Sequence, residues 1–107
     1  MTNTIRTLTV VAVAATFGCA AIFAQASGEA IYNKRCLNCH GTDGLASSGI
    51  GKIMKVKPVT DPEVIKLTEP EMVQKVRLGM GKMQPYKGDL TDAQIKSSVD
   101  YFRTFMK

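Results

Sequence analysis

Cys36-Leu37-Asn38-Cys39-His40 is the one stretch of this 107-residue chain where thiols and an imidazole stand at a short, fixed spacing. Cysteines three positions apart project from the same side of a helical turn, where both can add to the vinyl groups of one porphyrin. The histidine after the second cysteine is carried beneath that ring, and an imidazole nitrogen reaches the iron as an axial ligand. C-x-x-C-H is thus the pattern of covalent c-type haem attachment. Other uses fail on inventory. Structural zinc takes four N/S ligands, whereas Cys36, Cys39 and His40 stand together with only Cys19 far upstream. A thioredoxin-type dithiol follows a strand in a βαβ pattern, and no such alternation is present. His40 is also the only histidine, which excludes bis-histidine ligation, a second histidine-ligated haem and distal-histidine peroxidase chemistry. A single haem with a non-histidine sixth ligand remains.

The second chemical signal is Gly79-Met80-Gly81-Lys82-Met83-Gln84-Pro85-Tyr86-Lys87-Gly88. A thioether that donates to iron must come from backbone able to press against the haem, and Gly and Pro allow such irregular paths. Met83 there would complete His/Met ligation, which raises the reduction potential. Met54 and Met80 compete with it, while Met72 and Met106 recur on helix faces and read as core.

The elements that must position these groups start after residue 26. Met1 to Ala26 reads as a cleaved secretory signal: Arg6 gives the positive end, Leu8 to Phe23 the apolar run, and Ala24-Gln25-Ala26 the cleavage site before Ser27. Two alternatives stand beside it, an uncleaved anchor and lipidation of Cys19, which follows the small residue Gly18. Export places the protein in the periplasm, with no stable membrane insertion once the signal is removed. Residues 27–107 then form one short domain. A chain of this size buries too little surface to be secure by its core alone, and a covalently held haem supplies the missing core. The formal charge of +5 comes from fourteen Lys and Arg against nine Asp and Glu; without Arg6 it is thirteen against nine, or +4. This modest excess, with no aromatic-interleaved basic patch, argues against nucleic acid and suits steering toward an acidic protein partner.

Helix signals give an all-α order. Ser27 is an N-cap with Glu29 in the first turn, and Gly28, Tyr32 and Cys36 share one face. Gly41-Thr42-Asp43-Gly44 is a tight turn, followed by a loop-rich stretch from Leu45 to Pro62 in which Pro58 and Pro62 prevent a long helix. Thr68-Glu69-Pro70-Glu71 has capping-box spacing and Gly79 is a C-terminal stop. Thr91-Asp92-Ala93-Gln94 repeats the box, and Ile95, Val99, Phe102 and Met106 follow at helical spacing.

Together these residues resemble the class I cytochromes c, in particular small bacterial monohaem ones, over the whole of residues 27–107. The resemblance implies a cytochrome c fold of three main helices around one covalent haem c. Cys36 and Cys39 match the attachment cysteines, His40 the axial histidine and Met83 the axial methionine, with Met80 the competing candidate because Gln84 separates Met83 from Pro85. Gly28-x3-Tyr32 matches the helix whose glycine and aromatic meet an aromatic of the last helix, here Tyr101. The family's proline about ten residues beyond the histidine, whose carbonyl fixes the imidazole, has no counterpart. A haem with both axial positions filled by protein suits outer-sphere electron exchange, so the expected function is a monomeric periplasmic one-electron carrier between respiratory or dehydrogenase partners, not an enzyme. Lys34, Arg35, Lys82 and Lys87 lie beside the ligand segments and would ring an exposed haem edge toward acidic docking surfaces. The alternatives are a haem subunit of an oxidoreductase complex and, if the sixth site is open, a gas-binding or peroxidase-like protein.

Overall fold

The structure, a computed structural model, describes residues 27–107; the expected signal, its cleavage site and Cys19 lie outside the described residues. Helix α1 (Gly28–Arg35) is capped by Ser27, whose hydroxyl accepts from the Ala30 amide at 3.1 Å. It breaks at Cys36, and α2 (Leu37–His40) carries the rest of the pentapeptide to Gly41, which ends it at φ 82°. Helices α5 (Glu69–Leu78) and α6 (Asp92–Arg103) both open on complete capping boxes, Thr68 with Glu71 and Thr91 with Gln94. Each box satisfies two amide donors that a helix start otherwise leaves unpaired.

Three packing contacts hold this frame. At Gly28, α1 approaches α6 so closely that a Cβ would overlap the Ser97 carbonyl oxygen and lie 2.7 Å from its carbon. One turn on, the Tyr32 ring meets those of Tyr101 at 5.3 Å and Phe105 at 5.6 Å between centroids. Helix α5 packs on α6 through a core of Met72, Tyr86, Ile95 and Val99. Lys96 of α6 ties the outer edge of that pair to Glu69 and Asp100, and Arg103 donates to the Leu67 carbonyl at 3.0 Å.

The stretch expected to be loop-rich contains two short helices, α3 (Gly49–Ile53) and α4 (Pro62–Ile65). Ser48 and Asp61 cap them, and Pro62 stands in the first turn, where its missing N–H costs nothing. Met106 lies beyond the end of α6 rather than on its face; a tight final turn still folds it against the core. Among the described residues there are no strands, only isolated bridges Met80↔Met83 and Lys87↔Leu90. The fold is all-α. Among the same residues no helix is long and apolar enough to cross a membrane.

Candidate haem-binding site

The break between α1 and α2 falls on the first cysteine. The Cys36 amide still bonds the Tyr32 carbonyl at 2.8 Å, and the Cys39 and His40 amides bond the Cys36 carbonyl. Both thiols are free and half-buried. Burial, with Cys39 next in effect, pushes the Cys36 thiol up to about 11. Burial moves His40 the other way, below its ordinary value of 6.5. A neutral imidazole keeps the lone pair that a metal needs.

His40 packs against an aromatic of the last helix. Its ring stands edge-on to Phe102 of α6, 5.3 Å between centroids at 70°. Its Nδ1 is buried without a hydrogen-bond partner among the described residues, where no backbone carbonyl takes the part that the family's proline segment plays. The loop after His40 nevertheless folds back onto α2. The Ala46 amide bonds the His40 carbonyl at 2.9 Å, and the Ser48 hydroxyl bonds that of Asn38 at 2.9 Å. Gly51 lies where a Cβ would be 2.6 Å from both the Cys39 and Ala46 carbonyl oxygens.

The methionine loop starts at Gly79, which ends α5 at φ 76°. Met80 and Met83 exchange both backbone hydrogen bonds, at 3.0 and 2.9 Å, across a turn that includes Gly81 at φ 58°. Their side chains have different surroundings. Met83 packs against the Met72–Tyr86–Ile95–Val99 core. Met80 is 52% exposed, and its sulfur accepts from the Lys75 ammonium at 3.4 Å. Met54 ends α3 and is not among the residues packed on that core.

Two tyrosine hydroxyls join these segments, and sequence reasoning assigned neither. Tyr32 donates to the Gly41 carbonyl at 2.6 Å, and Tyr86 to the Arg35 carbonyl at 3.0 Å. The signal for both was a tyrosine at a core position, since a buried phenol needs a polar partner. Lys34, Arg35, Lys82 and Lys87 are exposed and make no ion pair among the described residues, unlike Lys66, Arg77 and Lys96. The Tyr86–Arg35 bond also brings the backbone beside Lys87 up to the end of α1.

Two free thiols and a neutral imidazole within five residues, with a core-facing thioether on a separate loop, fit a covalently held haem. Residues 23–102 match the family model described as cytochrome C oxidase, cbb3-type, subunit III. A search of curated proteins finds no match. Among solved structures, the fold is similar to that of the KustC0563 c-type cytochrome, with a TM-score of 0.69 and 27% identity over 77% of this chain and 100% of that one. A tyrosine-to-phenylalanine mutant of the same protein gives 0.67 and 26% over 75% and 99%.

Proposed function

The chain belongs to the cytochrome c family, and on that premise we propose that it is a periplasmic one-electron carrier with a single His/Met-ligated haem c. Cys36 and Cys39 would hold the group through thioethers, and His40 and Met83 would supply the two protein ligands to its iron. Bound haem supplies a one-electron iron couple, whose reduced form a soft thioether favours. The chain's own residues do the rest. Burial favours the neutral imidazole of His40, and Phe102 packs edge-on against its ring. Val59, fully buried, and Tyr32, 1% exposed, help keep water from the interior behind the pentapeptide.

The observation that carries this reading is the contrast between the two loop methionines. Met83 faces the core while Met80 points to solvent under Lys75. With His40 and Met83 both bound to it, the iron would have no open site for a gas or a peroxide. Met83→Ala should abolish the methionine-to-iron charge-transfer band, lower the potential and admit carbon monoxide to the reduced protein. Met80→Ala should leave the band in place. Swapped outcomes would make Met80 the ligand, and a native reduced protein that binds carbon monoxide would restore the open-site alternative. Four unpaired cations beside the two ligand segments support docking on an acidic redox partner.

One finding favours a second reading. The family model bears the description of an oxidase subunit, which makes a haem subunit held in an oxidoreductase complex the alternative to a free monomer. Purification under mild conditions decides it: a carrier elutes alone, and a subunit elutes with partner chains.

A further inference from the structure

The loop that carries the two methionines is fastened to α5 by its backbone and to the attachment segment by one side chain. The Tyr86 amide donates to the Val76 carbonyl at 3.0 Å, and the Lys87 amide to that of Arg77 at 3.1 Å. Across to α1, the Tyr86 hydroxyl donates to the carbonyl of Arg35, the residue before Cys36. Among the described residues this is the one hydrogen bond between the loop and anything from Ser27 to Thr60. The Arg35 carbonyl is one of those a helix end leaves without an intrahelical partner. The ring itself is 8% exposed within the core, where phenylalanine would pack as well. The hydroxyl therefore adds a single thing, a tie between the segment bearing the thiols and the loop bearing the thioether.

We propose that Tyr86 is a positioning residue that holds Met83 on the iron by latching its loop to the residue preceding Cys36; this rests on the assignment of Met83 as sixth ligand. A thioether is a neutral, one-point ligand, and its hold depends on how firmly its backbone is kept in place. Only Gln84 and Pro85 separate Met83 from Tyr86, and proline fixes one of the few torsions between them. Slack at Tyr86 is thus passed on to the sulfur. Tyr32 is the natural comparison. It makes a similar bond, to the Gly41 carbonyl just after His40, but on the histidine side and not on the methionine loop.

The test is displacement of the methionine by added imidazole in the oxidised holoprotein, read from loss of the charge-transfer band. Tyr86→Phe keeps the ring and removes the tie, and should tighten apparent imidazole binding by about 2- to 12-fold, the range to which one hydrogen bond's net contribution converts. Tyr32→Phe should lower stability without changing imidazole affinity. Unchanged affinity in Tyr86→Phe, or an equal change in Tyr32→Phe, overturns the proposal, because a merely structural hydroxyl would show one of these. Failure of the ligand assignment is separately visible, as loss of the band in Met80→Ala.

Discussion

Gly28→Ala sets two rules against each other. Helix propensity favours alanine by at most about 1 kcal/mol over glycine, and Gly28 opens α1 with no positive φ to require it. Packing opposes the change. The added Cβ would overlap the Ser97 carbonyl oxygen, sit 2.7 Å from the carbonyl carbon and 3.3 Å from the Tyr101 Cβ. The first two are helix backbone and cannot rotate aside, so α1 and α6 must part. Overpacking of this kind costs about 1–3 kcal/mol, and parting the helices also loosens the Tyr32–Tyr101 ring pair, for about 0.5–1.5 kcal/mol. Set against the propensity gain, the net is a loss of about 0.5–3.5 kcal/mol. For a domain this size it lowers Tm by roughly 2–28 °C. Gly49→Ala is the matched control: it too opens a short helix, but nothing lies within 4 Å of its added Cβ. That variant should be neutral or slightly more stable. Thermal and urea unfolding of the holoproteins, followed by far-ultraviolet circular dichroism, measures both. Equal stability of the two variants would refute the close crossing of the first and last helices.

Intact-mass analysis of the purified protein should give residues 27–107 plus one haem that survives acid extraction, with haem lost from the Cys36→Ala/Cys39→Ala double variant; a lipid adduct at Cys19 would replace the cleaved form. Reversing Lys82 and Lys87 to Glu should slow electron transfer to an acidic partner by at least about tenfold at low salt, and the difference should shrink near 0.1 M, where the Debye length is about 10 Å. The same reversal at Lys66 and Lys96, which are already paired with acids, should slow transfer far less. Glu71 is held below its ordinary 4.5 by hydrogen bonds accepted from the Thr68 amide and hydroxyl. Its contribution is therefore full above about pH 4.5 and is lost as pH falls through the lower folded value. Glu71→Gln keeps the box, as Gln94 does in α6, and urea midpoints compared at about pH 6 and about pH 3.5 should show a shallower acid loss than in the parent.

Local chemistry made much of this molecule legible in advance. The pentapeptide named its cofactor because thiols and imidazole must be adjacent to reach one porphyrin, and the three longer helices were bounded by caps at Ser27, Thr68 and Thr91 whose side chains act within three residues. The crossing at Gly28 and the ring contact of Tyr32 with Tyr101 followed from the resemblance. Helices α3 and α4 were missed although Ser48 and Asp61 signal them, because four or five residues are too few to show a period. The edge contact of Phe102 on His40 and the bonds of Tyr32 and Tyr86 were illegible for a different reason. Each depends on where a distant segment ends up, and nothing beside Tyr86 in sequence points to a carbonyl 51 positions earlier.

The seating of α1 directly on α6 makes the fold a closed ring of sequence, with everything between Arg35 and Asp92 as the loop to be closed. Closing a flexible loop of that length costs roughly 3–4 kcal/mol of chain entropy, and the contact that repays it forms only when the last helix is present. A chain emerging N-terminus first thus exposes Cys36 and Cys39 well before α6 can cover the Tyr32 face. The order of synthesis itself leaves a window in which both thiols are uncovered, and the arrival of the final helix shuts it.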